Sequence, residues 1–386
     1  MRKLRSLCVF AWGWLLLPGF GWPAGAQVVG QPLPPWTRGT LDIHQIQTGR
    51  GNATYFIFPD GTTMLLDAGA VPGKQGLEQG PARPDATRSP AYWIAHYITQ
   101  VCPVTPPTLD YVVITHYHDD HMGAIAEAAR IIPISILIDR GDQPRPPSAS
   151  VVAGYLEFRK SQKSEVFRPG RADQIEQIHN PGSTFEVRNI AANGKVWTGH
   201  GSETRSQFPA GWASLPPADQ PGENHFSIAI RIRYGLFDYF SGGDTPGVVL
   251  DRKPPWQNLE TPIARVVGPV DVLVLNHHGW LDTTNEFFLD TLRPRVVIIP
   301  AWHASHPDHG VLRRLLSASS KPDLFITSLL DAPRAIFNYL GPVFKSTEGH
   351  IVIRVSAGGA TYHVVILDDT NPTQLITAVH GPYSSR

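Results

Sequence analysis

The sequence is poor in sulfur-containing residues and has no excess of charge of either sign. It contains 2 cysteines and 3 methionines in 386 residues, and 33 basic side chains balance 33 acidic ones. Cys8 and Cys102 are too few to supply the sulfur ligands of a zinc ribbon. Any metal site must therefore use nitrogen and oxygen ligands. The balanced charge provides no overall field that would attract a polyanion, so net charge does not support nucleic acid as a partner, and a local basic groove is the alternative.

Long apolar runs are also absent, apart from a short one near the start. Met1-Arg2-Lys3-Leu4-Arg5 precedes an apolar stretch from Leu7 through Leu17, and Pro23-Ala24-Gly25-Ala26 follows it. This layout predicts a signal peptide, residues 1–26, and hence a periplasmic or secreted protein. The run is shorter than the roughly 20 residues that cross a bilayer, so no stable membrane span is expected, with a retained anchor as the alternative. Cleavage removes three basic residues and leaves 30 basic against 33 acidic side chains.

The remaining chain alternates short strands and helices and predicts one large α/β domain. Residues 27–39 are rich in proline and predict an extended leader, 40–370 the domain, 140–225 an insertion within it, and 371–386 a polar C-terminal tail. The apolar patterns predict strands at 41–44, 53–58, 63–66, 111–114, 134–138, 227–233, 237–241, 272–275, 296–299, 351–355 and 362–367. They predict helices at 92–101, 123–130, 150–162 and 286–292.

A cluster of metal-binding side chains follows one of these strands directly. His116-Tyr117-His118-Asp119-Asp120-His121 comes after the apolar strand at 111–114 and before a predicted helix. Imidazole binds zinc, copper, iron and nickel, and carboxylate extends this range to manganese. Alternate residues of an extended chain point to opposite sides, so a turn is needed to gather these side chains. The alternative is a solvated polar loop.

Four motifs together resemble the metallo-β-lactamase superfamily over about residues 41–310. They are the histidine cluster, Leu66-Asp67-Ala68-Gly69, Gly243-Asp244 and His277-His278-Gly279. The resemblance implies a four-layer αβ/βα sandwich with the metal ions at one edge. Glu223-Asn224, with the last two motifs, makes the chain more similar to the branch of the nuclease-like domain of bacterial competence (DNA-uptake) proteins than to true β-lactamases.

The resemblance also implies a set of metal ligands. His116 and His118 would bind a first ion, Asp120 and His121 a second, and Asp244 would bridge them. His278 matches the last ligand, with His277 as the alternative. The metal ligands implied are His116, His118, Asp120, His121, Asp244 and His278, of which Asp120 and Asp244 are the catalytic carboxylates.

Several assignments stay open at the level of sequence. Many superfamily members have a further histidine ligand, and His200 and His225 are the candidates here. Asp244 has the alternative role of capping a turn beside Gly242 and Gly243.

Four further residues are candidates for supporting roles. Asp67 is expected to orient a metal ligand, or else to serve only as a turn residue. Asn224, His303 and His306 are candidates for contacts with the substrate, the alternative for the two histidines being an ordinary surface position.

The implied function is that of an exported metal-dependent hydrolase. Two divalent cations about 3.5–4 Å apart would hold a metal-bridged hydroxide, with zinc favoured and manganese or iron(II) as alternatives. The resemblance favours a phosphodiester substrate. A β-lactam, lactone or thioester hydrolase is the alternative within the same chemistry, and a non-hydrolytic metal-binding module is the alternative outside it.

Overall fold

Two large β-sheets form the centre of the structure. The computed structural model describes residues 27–71, 78–143, 150–181, 184–250 and 253–386. In chain order its strands are β1 Leu41–Gln45, β2 Thr54–Ile57, β3 Thr63–Leu66, β4 Leu109–Ile114, β5 Ile134–Asp139, β6 Ser164–Val166, β7 Phe185–Ala192, β8 Lys195–Trp197, β9 Thr204–Ser206, β10 Ala229–Tyr234, β11 Phe237–Ser241, β12 Val272–Val274, β13 Val296–Ile299, β14 Asp323–Ile326, β15 Phe344–Ser346, β16 His350–Val355, β17 Thr361–Leu367 and β18 Ile376–Ser384.

Helices connect these strands and cover the sheets. Their bounds are α1 Pro90–Val101, α2 Asp119–Met122, α3 Ile125–Ala128, α4 Ser150–Lys160, α5 Glu260–Val267, α6 Glu286–Leu292, α7 His309–Ser317 and α8 Asp331–Phe337. α1 shows why such a segment is helical. The Ser89 hydroxyl accepts a hydrogen bond from the Tyr92 amide at 3.1 Å, and Pro90 occupies the first turn, where no amide donor is needed.

Each sheet combines antiparallel and parallel strands. The first has the order β18-β17-β16-β1-β2-β3-β4-β5-β6 and is parallel from β3 to β6. The second has the order β15-β14-β13-β12-β11-β10-β7-β8-β9 and is parallel from β11 to β15. In the parallel parts, the carboxyl ends of neighbouring strands reach the same edge of the sheet, where ligand sites commonly lie.

Three apolar cores hold the layers together. One lies between the two sheets and includes Phe56, Ile230 and Ile353. A second joins the second sheet to α5, α6 and α7, and a third joins the first sheet to α1, α3 and α4. The layers therefore run helix, sheet, sheet, helix. The predicted four-layer αβ/βα sandwich is confirmed.

Two predictions about the organisation of the chain differ from the structure. The segment 371–386, predicted as a polar tail, contains β18, which pairs with β17 and places Ile376 in the core. The segment 140–225, predicted as an insertion, contains β7, which pairs with β10 inside the second sheet. Both strands contain polar residues and therefore lack a continuous apolar pattern. The segment predicted as one helix at 123–130 follows α2 and forms the separate short helix α3.

The structure describes the predicted leader, residues 27–39, but not the predicted signal peptide. The predicted signal peptide, residues 1–26, lies outside the described residues. Residues 27–39 contain no helix or strand and run against the domain, where the Gly30 amide donates to the Ile376 carbonyl at 2.8 Å. Among the residues that the structure describes, no helix has the length and apolar character needed to cross a membrane.

Candidate metal centre

The predicted ligands follow the carboxyl ends of strands from both sheets. His116 comes shortly after β4 of the first sheet, whereas Asp244 and His278 come after β11 and β12 of the second. Packing of the two sheets brings these ends together. The six predicted ligands form two groups that share Asp244.

The first group consists of His116, His118 and Asp244. The Nε2 atom of His116 lies 3.0 Å from Nδ1 of His118 and 3.6 Å from Oδ2 of Asp244. His116 is fully buried, whereas His118 reaches the surface. Two imidazoles and one carboxylate leave a position for solvent or substrate at a tetrahedral ion.

The second group consists of Asp120, His121, Asp244 and His278. The Nε2 atom of His121 lies 3.0 Å from Oδ1 of Asp244 and 3.2 Å from Nε2 of His278. The latter atom lies 3.0 Å from Oδ2 of Asp120. The two oxygens of Asp244 thus face different groups, which is the arrangement that a bridging carboxylate requires.

The nitrogen and oxygen atoms of the two groups are suited to binding cations. Oδ1 of Asp244 is buried and accepts no hydrogen bond from the described residues. A buried carboxylate oxygen without a hydrogen bond is costly unless positive charge lies beside it, and here His121, 3.0 Å away, is the nearest group that can supply such charge without a metal ion. Nitrogen and carboxylate oxygen are also the ligand types of zinc, iron and manganese. The residues present therefore fit two divalent cations.

The charges in the cluster shift the pKa values of its members strongly. Burial alone would lower the pKa of His121, but the carboxylates of Asp244 and Asp67 hold that pKa well above its usual value. Burial opposes the charged form of Asp244, yet its imidazole neighbours, with His121 first, keep its pKa well below the usual range. Burial and the positive charge of His121 lower the pKa of His116. A cation at this position would therefore compete with protons.

Hydrogen bonds on the far side of two rings decide which nitrogen faces the centre. Nδ1 of His121 donates to Oδ2 of Asp67 at 2.7 Å, which directs Nε2 toward Asp244. Nδ1 of His278 donates to the Pro300 carbonyl at 2.9 Å, which directs its Nε2 toward Asp120. Asp67 is held by Thr115, whose amide donates to Oδ1 at 2.7 Å. The Asp67 carboxylate thus lies between His121 and Thr115.

A tight backbone turn gathers the ligands of the first sheet. The amide of Asn52 donates to the Asp120 carbonyl at 2.7 Å, and the amide of Ala68 donates to the His121 carbonyl at 2.7 Å. A Cβ atom on Gly69 would overlap the carbonyl oxygen of Asp120. The Leu66-Asp67-Ala68-Gly69 motif thus provides both the carboxylate behind His121 and the space for the turn.

His277 and His278 have different surroundings despite being adjacent. Both have left-handed backbone, with φ of 47° and 55°. His278 joins the second ligand group. His277 instead donates from Nδ1 to Oδ1 of Asp282 at 2.8 Å, while Nδ2 of Asn224 lies 3.2 Å from its Nε2. The fallback ligand His277 thus lies beside the centre, with its Nε2 3.7 Å from Oδ2 of Asp244.

The structure leaves His200 and His225 outside both ligand groups. His200 is exposed in the turn between β8 and β9. His225 is half-buried beside Trp256, at 6.1 Å between ring centroids, and burial lowers its pKa to about 4. His225 lies in the turn of 3₁₀ helix Glu223–Phe226 before β10 and belongs to neither ligand group. The first group therefore has three protein ligands among the described residues.

An aromatic wall borders His278. Its ring stacks on the buried His306 ring with centroids 4.9 Å apart, and Nε1 of Trp302 lies 3.5 Å from its Nε2. The ring of Trp280 meets His306 edge-on at 6.1 Å. His303 turns elsewhere, with Nδ1 2.8 Å from the Ser305 hydroxyl. His306 thus borders the centre directly, and His303 lies farther out.

Arg140 and Glu223 form a buried pair that sequence reasoning missed. Nε and Nη2 of Arg140 donate to the two oxygens of Glu223 at 2.7 and 2.8 Å, and the Tyr117 amide donates to the same carboxylate at 2.8 Å. The arginine also lies over the Tyr117 ring, 4.2 Å from its centroid. The pair therefore fixes the backbone between His116 and His118. The position of Arg140 directly after β5, at the carboxyl edge of the sheet, is the feature of the sequence that could have indicated a role near the site.

Comparisons with known proteins agree with this arrangement. The family model described as the metallo-beta-lactamase superfamily matches residues 48–185, which include His116 through His121. A search of curated proteins gave no significant match.

Similar solved structures are distant. CmlA, a diiron β-hydroxylase from Streptomyces venezuelae, is 15% identical, with 83% of this chain and 55% of that chain covered and a TM-score of 0.42. The short form of human tRNase Z is 10% identical over 67% of this chain and 91% of that chain, with a TM-score of 0.31. Yeast PDE1 is 10% identical over 82% and 99%, with a TM-score of 0.36. This chain thus spans only 55% of CmlA.

The match to the family model lies in the part of the chain that supplies the first metal ligands. Residues 48–185 match the model of the metallo-beta-lactamase superfamily, and this matched segment contains the His116–His121 cluster.

Proposed function

We propose that this chain is an exported hydrolase that uses two divalent cations to cleave a phosphodiester-type substrate. The observation that carries the proposal is the sharing of Asp244 between two ligand groups. When bound, two such cations polarise the scissile group and lower the pKa of a water molecule that attacks it. Zinc is the favoured metal, with manganese and iron(II) as alternatives, because the donors are nitrogen and oxygen atoms.

The residues around the ligands have separate tasks in this proposal. Asp67 and the Pro300 carbonyl fix the rings of His121 and His278, so that little reorganisation is needed during the reaction. Trp302 and His306 shield one side of the centre from water and offer an aromatic surface to the substrate.

The choice of a phosphodiester rests on motifs outside the first cluster. Glu223-Asn224, Gly243-Asp244 and His277-His278-Gly279 are together more similar to the competence-protein branch than to true β-lactamases. In the structure these three motifs meet at one place, because Asn224 contacts His277 and the Gly243 carbonyl accepts a hydrogen bond from the His277 amide at 3.0 Å. This meeting supports the proposal that they act as one unit.

The proposed location rests on the N-terminal sequence. Cleavage after Ala26 would leave a mature chain that begins at Gln27, in the periplasm or outside the cell. Mass spectrometry of the mature N-terminus tests this. An uncut chain recovered with the membrane fraction would favour a retained anchor instead.

The experiment that tests the proposed reaction is a substrate panel on the metal-loaded protein. The panel contains chromogenic phosphodiester, phosphomonoester, lactone, thioester and β-lactam compounds. We expect diester cleavage by the unmodified protein and by the control His200→Gln, because His200 is exposed and outside both ligand groups. We expect almost no cleavage by Asp244→Asn. Turnover of a lactam, lactone or thioester alone would replace the substrate, and no turnover by a fully metal-loaded protein would favour a non-hydrolytic module.

A further inference from the structure

A group of arginines lies at the edge of the second sheet opposite the metal centre. Arg293, Arg295, Ser319, Ser320 and Arg386 line a cavity of about 490 Å³, here named the basic cavity. Arg293 and Arg295 precede β13, whereas the ligands follow the carboxyl ends of neighbouring strands. The length of these strands, at about 3.3 Å per residue, separates the basic cavity from the metal centre.

The positive charge of this region exceeds the negative charge around it. A second cavity of about 380 Å³ shares Arg293 and Arg386 with the first and adds the pair Arg231 and Arg233. Asp238 pairs with both of these arginines, at 2.9 and 3.2 Å, and it lines this second cavity together with Asp271. In the basic cavity itself, the lining residues include three arginines and no acid.

The nearest carboxylate to the basic cavity does not form close ion pairs. Asp271 is buried, and its Oδ1 lies 3.9 Å from Nε of Arg295 and 3.9 Å from Nε of Arg386. These separations exceed hydrogen-bond length. The guanidinium of Arg293 pairs with no carboxylate within the part of the chain that the structure describes. At least one guanidinium is therefore free to bind an anion.

Two local features indicate that the cavity is built for a ligand. The Ser320 hydroxyl oxygen is buried and has no hydrogen-bond partner among the described residues, although buried hydroxyl groups normally have one. Arg293 has a left-handed backbone with φ of 41° at the end of α6, a position that glycine occupies with less strain. Backbone strain of this kind occurs preferentially at ligand-binding sites.

We propose that the basic cavity binds a small phosphate-type oxyanion, free or as part of a phosphate ester. Guanidinium groups match the geometry of phosphate with two parallel hydrogen bonds, and such charge-assisted bonds are stronger than neutral ones. The hydroxyl groups of Ser319 and Ser320 supply further donors. This site is independent of the metal centre and of the reaction proposed for it.

Calorimetric titration of inorganic phosphate into the full chain tests the proposal. The variants are Arg293→Gln with Arg295→Gln, and the control Arg205→Gln on the exposed strand β9. Arg293 and Arg295 are exposed, so their replacement should leave the fold intact. We expect the double variant to bind at least about tenfold more weakly, because each charge-assisted pair contributes substantially to affinity. The control should bind like the unmodified protein.

A separate arm excludes phosphate bound at the metal ions. Asp244→Asn, which should lose metal, is expected to retain phosphate binding at the basic cavity, and Ser320→Ala should weaken it. Equal binding by the double variant and the unmodified protein would overturn the proposal, as would loss of all binding in Asp244→Asn. Binding to anionic phospholipid vesicles without binding of free phosphate would also contradict a small-anion site.

Discussion

At the scale of single residues, the hydrogen bond behind each imidazole determines its role. The Pro300 carbonyl accepts from Nδ1 of His278, and Asp282 accepts from Nδ1 of the adjacent His277. The neighbouring rings thus face different partners, although the sequence offers two adjacent histidines with no obvious difference. Their left-handed backbone, which residues other than glycine adopt rarely, allows both orientations.

The first prediction separates these two histidines. His278→Ala should lose one of two metal equivalents and nearly all turnover, because Nε2 of His278 belongs to the second ligand group. His277→Ala should keep both equivalents, with activity reduced about 10–100-fold as for other residues that support ligands indirectly. Metal content measured on both purified variants decides this. The reverse pattern would exchange the two assignments.

A second prediction concerns the carboxylate behind His121. Asp67→Asn should weaken metal affinity about 10–100-fold, because an amide cannot accept the ring N–H and the Thr115 donors as a carboxylate does. Asp110→Asn is the matched control. Asp110 is also a buried aspartate, but its oxygens accept hydrogen bonds from Thr63 and not from a ligand.

Competition with a chromogenic chelator measures both affinities. Circular dichroism should show that the two variants are folded. An Asp110→Asn variant that lost metal as strongly as Asp67→Asn would mean that general destabilisation, and not the orientation of His121, explains the loss.

At the scale of elements, the turns that join strands to the centre limit which side chains are tolerated. We predict that Gly69→Ala destabilises the fold by about 1–3 kcal/mol and weakens metal binding, because the added Cβ overlaps the backbone oxygen of Asp120, which cannot rotate away. The control is Gly154→Ala in α4, where a Cβ meets nothing within 4 Å. That change should be neutral or stabilising by up to about 1 kcal/mol.

Denaturant unfolding and metal titration of the two glycine variants measure these effects. A Gly69→Ala protein with normal stability and normal metal affinity would show that the turn at Asp120 has more freedom than this packing implies.

The sequence predicted elements well where one apolar pattern decides the structure. Strands such as β3 and β13 are continuously buried, and their patterns were clear. The segment of β18 predicts a tail because its apolar residues follow no regular pattern, and its burial in the structure is irregular. The segment of β7 predicts part of an insertion because its partner strand β10 is distant in sequence. β14 and α7 went unrecognised. Pairing between distant segments depends on tertiary contacts that local patterns do not contain.

Some residues of the candidate site are indicated by motifs in the sequence, whereas others are brought together only by tertiary contacts. The resemblance of the motifs to the superfamily implied six ligands, and the structure brings these six side chains together in two groups. The Arg140–Glu223 pair joins residues 83 positions apart, and neither residue alone suggests the other. His225 is a candidate by chemistry, but the structure places it in neither ligand group.

At the scale of the whole molecule, the metal centre joins the two sheets. His116, His118, Asp120 and His121 come from the first sheet, whereas Asp244 and His278 come from the second. Metal ions that bind only when both sheets are assembled stabilise the folded state. This stabilisation grows with the logarithm of the ratio of metal concentration to Kd. The packing of the layers and the occupancy of the centre are therefore coupled.

We also predict a pH dependence of stability that involves a histidine outside the two ligand groups. His350 is buried in β16, its Nδ1 accepts a hydrogen bond from the Gln47 amide at 3.0 Å, and burial lowers its pKa to about 3. The unfolded chain binds a proton there below about pH 6.5, whereas the folded chain does not. Stability is therefore lost as the pH falls from about 6.5 toward 3, by about 2 kcal/mol at pH 5 from this residue.

His350→Gln tests that contribution, because glutamine offers an acceptor to the Gln47 amide without titrating. The free energy of unfolding, measured in urea at pH 7.5 and pH 5, should fall less in the variant than in the unmodified protein, by about 2 kcal/mol. An equal fall in both proteins would contradict the role of His350.

The central claim is that one carboxylate, Asp244, serves two ions, and metal content tests it most directly. Elemental analysis of the protein after reconstitution and gel filtration should give two equivalents of divalent metal for the unmodified chain and for Asp110→Asn. Asp244→Ala should lose both, because each ligand group contains this residue. An unmodified chain without bound metal, or an Asp244→Ala chain that retains two equivalents, would contradict the account.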